Sequence, residues 1–319
     1  MTRAGSWPAP RIGEALLWLA LAASYFVLPD GLALMSQILV YGLFAASLDI
    51  ALGYAGILDL GHATFFAVGA YAAGLLASHH LGAPSLGLLV AMLCSGLLGY
   101  LLSFLVVRGT DLARLMITLS VCALFADFAN RMASITGGTD GLQGMDVRPV
   151  LGVFGFDLYG RTAFWYCFLV VLLVFLALRR VLASPFGLVL RGIGENRRRM
   201  LALGSPVESR IRAAYCLSAA VAGIAGALQA QTTQFVGIDS IGLNRSFEIL
   251  IILVLGGTGS LYGGLVGAVV YMVLRSAFSS LSPQYWMFWL GCVLIAIALL
   301  GRGGILGALS RLAQRRVGW

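Results

Sequence analysis

Ionisable residues that interrupt apolar runs are where this sequence could do chemistry, and the densest interruption begins at Asp49. It continues through Gly53-Tyr54-Ala55-Gly56-Ile57-Leu58-Asp59-Leu60-Gly61-His62, three glycines, an acid and a histidine inside a run that is otherwise hydrophobic. A second interruption runs Gly256-Gly257-Thr258-Gly259-Ser260-Leu261-Tyr262-Gly263-Gly264. The two share a pattern at one constant offset, since Gly53, Gly56, Leu58 and Gly61 match Gly256, Gly259, Leu261 and Gly264. Glycine lets the backbone leave the helix, and non-helical backbone among apolar segments is tolerated only when buried in protein or facing a watery cavity. Asp49, Gly53, Gly56, Asp59, Gly61, His62, Gly256 and Gly259 are therefore candidates for lining or gating a polar path, because ionisable groups in such surroundings are costly and seldom incidental. The competing reading of the glycines is close helix packing or a plain turn.

A third candidate is Arg191-Gly192-Ile193-Gly194-Glu195-Asn196-Arg197-Arg198-Arg199-Met200-Leu201-Ala202-Leu203-Gly204-Ser205-Pro206. A short charged helix with a glycine stop projects as a rigid knob. The arginines alone would also serve topology control and contact with anionic lipid. Catalytic patterns are absent. There is no HExxH, no GxSxG and no Cys or His cluster at ligand spacing, and the histidines are His62, His79 and His80. His79 and His80 read as a polar helix end, and Cys94, Cys122, Cys167, Cys216 and Cys292 as isolated small buried hydrophobes. No metal site is expected.

The elements that must position these groups are membrane helices. Hydrophobic residues make up 60% of 319, charged residues 11%, and mean hydropathy is +0.94, whereas a soluble domain carries about 25% charged residues. All 21 basic residues are Arg, giving a net charge of +8. They fall between apolar runs, which argues for topology-setting charge rather than nucleic-acid binding. Without Lys the chain cannot form the GxxxxGK[ST] phosphate loop, so it has no standard ATPase site of its own.

A helix of about 20 residues crosses the hydrocarbon core. That length predicts about ten spans (eight to ten) in one all-α bundle over 1–319: 12–28, 33–57, 62–79, 84–107, 113–130, 163–182, 213–231, 247–258, 260–281 and 285–301. With both termini cytoplasmic, the inside holds Arg3, Arg11, Arg108, Arg114, Arg179, Arg180, Arg191, Arg197, Arg198, Arg199, Arg210, Arg212, Arg302, Arg311, Arg315 and Arg316. Arg131, Arg148, Arg161, Arg245 and Arg275 lie outside or near it, an asymmetry that satisfies the positive-inside rule. The long connections are then an external segment at 131–162, rich in turn formers, and a cytoplasmic one at 183–212.

At these residues the chain resembles the permease subunits of branched-chain amino acid ABC transporters, of the LivM type that pairs with LivH. The resemblance is carried by Gly53-Tyr54-Ala55-Gly56 through Gly61-His62-Ala63 with Phe65-Phe66 and Gly69-Ala70-Tyr71, then by Thr136-Gly137-Gly138-Thr139-Asp140-Gly141-Leu142. It continues in Glu195-Asn196, Ala202-Leu203-Gly204, Ser218, Ala222-Gly223-Ile224-Ala225-Gly226-Ala227-Leu228 and Leu255-Gly256-Gly257-Thr258-Gly259-Ser260.

The resemblance implies a multi-pass protein of the bacterial inner membrane that is no enzyme itself. A periplasmic solute-binding protein would deliver the cargo. A LivH-type second permease would complete the path, and separate ATP-binding subunits would hold ATP and magnesium, leaving this chain without a bound cofactor. The stretch 191–206 looks like the coupling helix, with Glu195, Asn196, Arg197, Arg198, Leu203 and Gly204 facing the ATPase. Two departures stand out. Arg197-Arg198-Arg199-Met200 replaces a more acidic, alanine-rich stretch, and Asp59 replaces a commonly neutral residue. Related systems carry urea, short amides or aromatic acids. The alternative from another class is an ion-coupled secondary carrier using Asp49, Asp59 or His62.

Overall fold

Each of the ten apolar segments is a helix in the computed structural model, which describes residues 11–27, 31–79, 82–109, 111–150 and 160–300, with isolated positions at 152, 154, 155, 157, 304, 305 and 307. His80 and Arg3, Arg302, Arg311, Arg315 and Arg316 lie outside the described residues. The order is α1 (Arg11–Val27), α2 (Leu32–Asp49), a π-helical turn (Ile50–Tyr54), α3 (Ala63–Ser78), α4 (Pro84–Arg108), α5 (Asp111–Arg131) and the short α6 (Ala133–Thr136). There follow α7 (Arg161–Leu182), α8 (Pro185–Glu195), α9 (Arg197–Ala202), α10 (Val207–Thr233), α11 (Leu243–Gly256), α12 (Gly263–Leu281) and α13 (Trp286–Leu300). Among the described residues there is no strand, only two isolated bridges, Leu142 to Val236 and Val150 to Phe154.

Among the described residues six helices are long and apolar enough to cross a membrane: Leu32–Tyr54, Pro84–Val107, Leu112–Arg131, Arg161–Leu182, Val207–Thr233 and Gly263–Leu281. Helices α1, α3, α11 and α13 are shorter. Helix α10 starts at Val207, six residues before the expected 213, because Pro206 stands immediately before its first turn and the polar Glu208-Ser209-Arg210 extend it beyond the apolar stretch. Proline likewise opens α4 and α8, where its missing N–H costs no helical bond.

Helix α2 is the hub. From Ile38 to Asp49 every residue is buried, and its neighbours are α12, α10, α7 and α11. Backbones approach closely through glycine. A Cβ on Gly69 of α3 would overlap the carbonyl of Gly223 on α10, and one on Gly264 of α12 would lie 2.8 Å from the Ala45 side chain of α2. Where lipid gives no hydrophobic drive between helices, such contacts supply the packing. On α4 the leucines 89, 93, 97, 101 and 105 recur every fourth residue and all are exposed, an apolar stripe that suits hydrocarbon rather than water. Cys94 and Cys292 are exposed rather than buried as expected; Cys122 and Cys167 are buried.

Contacts fix how the helices alternate. Tyr41 of α2, Arg245 of α11 and Arg275 of α12 meet at one level inside the bundle, toward the Leu32 end of α2. Asp49 of α2 meets Gly259 before α12 at the opposite end. That second end also carries residues 55–62 and α8, whose Gly194 lies against Gly56, and is hereafter the knob end. Arginine positions 11, 108, 114, 179, 180, 191, 197, 198, 199, 210 and 212 lie there, against 131, 148, 161, 245 and 275 toward the far end. The 131–162 connection folds at the far end as α6, a 3-10 turn at Gly138–Asp140 and the bridge from Leu142 to Val236.

Candidate functional site

Helix α2 does not simply stop. After Asp49 it widens into the π turn and then gives way to irregular, non-helical backbone until α3 begins at Ala63. Freed amides close the opening locally, with Ala55 N donating to Ile50 O at 3.3 Å and Ile57 N to Ala51 O at 2.8 Å. A π turn inside an α-helix commonly marks a functional position.

Two polar constellations sit on this break. In the first, buried Asp49 accepts the Gly259 amide on Oδ1 at 2.7 Å, while its Oδ2 has no hydrogen-bond partner. Gly53 lies between them, because a Cβ there would stand 2.5 Å from Gly259 N and overlap the Asp49 carboxylate. The matched glycines Gly56 and Gly259 both take left-handed backbone, φ +68° and +77°. Each turns the chain from one helix into an oppositely directed one, so the sequence repeat is also a repeat of local structure. Gly256 ends α11 against the Gly263 carbonyl.

The second constellation is a buried row. Asp59 Oδ1 accepts Gly61 N at 2.8 Å, and Oδ2 accepts the Tyr215 hydroxyl at 3.0 Å and lies 3.2 Å from His62 Nδ1. His62 Nε2 is 2.9 Å from Ser47 Oγ, and Ser218 Oγ donates to the Ser47 carbonyl at 2.5 Å. The imidazole stacks on Phe44 with centroids 5.6 Å apart. Asp, His and Ser thus stand in hydrolase order, yet Ser47 Oγ already donates to Phe44 O at 2.6 Å. Ser47, Asp59 and His62 are each 0% exposed. A nucleophile must reach an acyl carbon, and the void beside Asp59 is about 10 Å³, room for one water. The row ties α2, α10 and the break together and closes this level of the bundle. Gly61 packs on the Thr118 carbonyl of α5.

The knob bears directly on the break. Helix α8 buries Gly187, Leu190 and Ile193. At its end a Cβ on Gly194 would stand 2.7 Å from the Tyr54 carbonyl, and the Arg191 guanidinium lies 5.0 Å from the Tyr54 ring centroid. Asn196 caps α9, its Oδ1 accepting Arg199 N at 3.0 Å, and Gly204 follows α9 in left-handed backbone, φ +75°. Arg197 donates to Val107 O at 3.3 Å, tying the knob to the end of α4. Glu195, Arg198 and Leu203 point outward, and Leu188, Leu201 and Leu203 are 64%, 53% and 71% exposed. Apolar side chains in a basic surround, outside the helical stripe of the bundle, have the composition of an interface.

All three sequence-marked segments therefore converge at the knob end: Asp49, Gly53 and Gly56 touch Gly259 and Gly194, and Asp59, Gly61 and His62 form the layer beside them. Sequence reasoning missed Ser47, Thr118 and Tyr215; it named Ser218 and Arg191 only as members of motifs, without the contacts they make here. It also missed a far-end cluster. Glu248 receives Arg245 at 2.7 Å, Arg275 at 2.9 Å and the Tyr271 hydroxyl at 2.8 Å, and Arg245 also bonds the Tyr41 hydroxyl.

The chain is similar to known transport proteins. A family model described as the permease component of branched-chain amino acid transport systems matches residues 32–298. The high-affinity branched-chain amino acid transport system permease protein LivM of Salmonella typhimurium is 29% identical over 92% of this chain and 73% of that protein, and the protein of that name from Escherichia coli gives the same figures. A probable branched-chain amino acid transport permease protein LivM of Methanocaldococcus jannaschii is 24% identical over 76% of this chain and 80% of its own. No solved structure matches.

Proposed function

The chain belongs to the family of branched-chain amino acid transport permeases, and from that premise we propose that it is the LivM-type half of an ATP-driven importer whose energy enters through α8 and α9. The chain is an ABC permease subunit. In the fuller reading all ten helices cross the inner membrane. The knob end, with its excess of arginine, is cytoplasmic together with both termini, and 131–162 is external. A LivH-type permease lies alongside, ATP-binding subunits sit beneath the knob with ATP and magnesium, and a periplasmic binding protein delivers branched-chain amino acids.

One observation carries the coupling: α8, which ends at exposed Glu195 and joins through Asn196 alone to α9 with exposed Leu203 at its end, presses Gly194 and Arg191 onto Gly56 and Tyr54 of the break. A push on the knob then reaches the π turn with no flexible linker between. Because the break packs on Gly259 through Asp49, displacement of one hinge displaces the other. The buried Asp59, His62 and Ser47 row is the closed gate below the cargo, and Asp49, Gly53, Gly56, Gly61, Gly256 and Gly259 are the hinge that opens it.

Glu195→Ala with Leu203→Ser tests this cleanly, since both side chains are exposed and exposed substitutions usually change stability by under about 0.5 kcal/mol. The purified double variant should insert and melt like the parent yet lose the ATPase subunits on co-purification and lose ATP-driven leucine uptake. Normal uptake would overturn the coupling assignment.

A further inference from the structure

The far-end cluster is the least expected feature of the fold. Helix rise of about 1.5 Å per residue puts Tyr41 roughly 14 Å, Glu248 roughly 8 Å and Arg275 roughly 9 Å below the far ends of α2, α11 and α12. One carboxylate is shared there by two guanidiniums and a phenol, with Glu248 Oε2 taken by Arg245 and Oε1 by Arg275 and Tyr271. Arg245 lies over the Tyr41 ring, 5.3 Å from its centroid, and its buried Nε has no hydrogen-bond partner. A guanidinium presents its donors in a fork that fits a carboxylate, and this fork is only partly filled. The Arg245, Glu248 and Arg275 side chains are 21%, 15% and 39% exposed.

A cavity of about 280 Å³ opens at the same end, lined among others by Ser36, Gln37, Asp157, Thr232, Thr233 and Gln234. Gln234 closes α10 on the cavity rim in left-handed backbone, φ +52°, its amide donating to Ala230 O. Gln37 on the cavity wall and Tyr41 at the cluster are four residues apart on α2, so they lie one above the other on the same face. Below them, Asp49 and the closed row lie about 12 Å farther along α2.

We propose that Arg245, Glu248 and Arg275, with Tyr41, form a zwitterion site inside the bundle, in which the cargo's α-carboxylate takes the open edge of Arg245 and its α-ammonium shares Glu248. The cavity is the antechamber from which cargo reaches this site. Charged residues kept within spans generally serve such a path, and here both charges of an amino acid find their complement at one level. A ligand with only one of the two charges leaves Glu248 or Arg245 without its exchange partner. The site therefore discriminates amino acids from simple acids and amides independently of the side chain. The proposal rests on the amino-acid importer reading above.

The test uses the complete purified complex in detergent without its binding protein, with L-leucine, leucinamide and 4-methylpentanoate as probes in equilibrium binding. The parent should favour leucine over either analogue at least tenfold. Glu248→Gln should shift the ratio of leucine to 4-methylpentanoate toward the acid by about tenfold, one charge-assisted contact. Arg245→Gln should shift the ratio of leucine to leucinamide the opposite way, toward the amide, with Arg245→Lys partly restoring it. Variants that fail to assemble are replaced by Glu248→Asp and Arg245→Lys, in which the same two ratios are read. Ratios that stay at parental values, or equal weakening for all three probes, would overturn the site and leave the cluster a helix tie. Pairing of Arg245 with an acid of the second permease, seen as recovery of Arg245→Glu by a reversed charge there, would overturn it too. If the parent complex, supplied with its binding protein in vesicles, takes up no branched-chain amino acid, the importer reading fails instead.

Discussion

Replacing Gly53 by Ala puts one methyl group where the two broken segments touch. The added carbon would stand 2.5 Å from the Gly259 amide nitrogen and overlap the Asp49 carboxylate. Gly259 is approached through its backbone, so it cannot yield by rotating a side chain. Either the hinges separate or Asp49 swings away from the 2.7 Å bond it accepts from Gly259. Overpacking alone costs about 1–3 kcal/mol, and leaving a buried donor or acceptor without its partner costs about 1–3 kcal/mol. The two overlap, since relief of the first is achieved by the second, so roughly 2–4 kcal/mol is expected for the whole. At about 2 °C per kcal/mol for a chain of this size, the melting temperature of the purified complex should fall by roughly 4–8 °C. ATP-driven leucine uptake should fall more steeply, by over tenfold, because the displaced pair is the hinge itself. Gly155→Ala, which meets nothing within 4 Å, is the control. Fluorescence-monitored melting and vesicle uptake read both effects, and a Gly53→Ala complex with parental melting and uptake would refute the reasoning.

Other outcomes follow from the same contacts. Tyr215→Phe removes a 3.0 Å donor from buried Asp59 and should cost about 1.5–3 kcal/mol, read as a lower melting temperature with the chain still inserted. Asn196→Ala removes the cap of α9 at a cost of about 1 kcal/mol. It should weaken co-purification of the ATPase subunits while Asn196→Asp preserves it. Gly226→Val on α10 would drive a side chain into the Phe66 carbonyl of α3, and the protein should fail to accumulate in the membrane.

The helices and breaks were legible because they are local. Apolar runs with glycine interruptions announce themselves in a window of twenty residues, and the paired pattern from Gly53 and from Gly256 carried through to matching left-handed turns at Gly56 and Gly259. Gly204 was legible as well, as a stop, whereas the cap that Asn196 provides for α9 was not. What stayed hidden is long-range. Ser47, Tyr215 and Ser218 are single polar residues in apolar helices, and their partnership with Asp59 and His62 exists only once α10 lies beside α2. Arg245 and Arg275 read as charge at span boundaries, since nothing local shows Glu248 reaching both. Asp59 and His62, expected to line or gate a path, lie in a packed, fully buried row. Their side-chain partners are one hydroxyl from α10, Tyr215, and one from α2, Ser47, which no local window shows.

The most direct test of the account is to place this chain in vesicles, first alone and then with its second permease, ATP-binding subunits and binding protein. The account predicts that the chain alone neither hydrolyses ATP nor accumulates leucine, and that the full assembly concentrates leucine only when ATP is supplied on the knob side, undisturbed by an uncoupler. Accumulation by the lone chain driven by a proton or sodium gradient would contradict it.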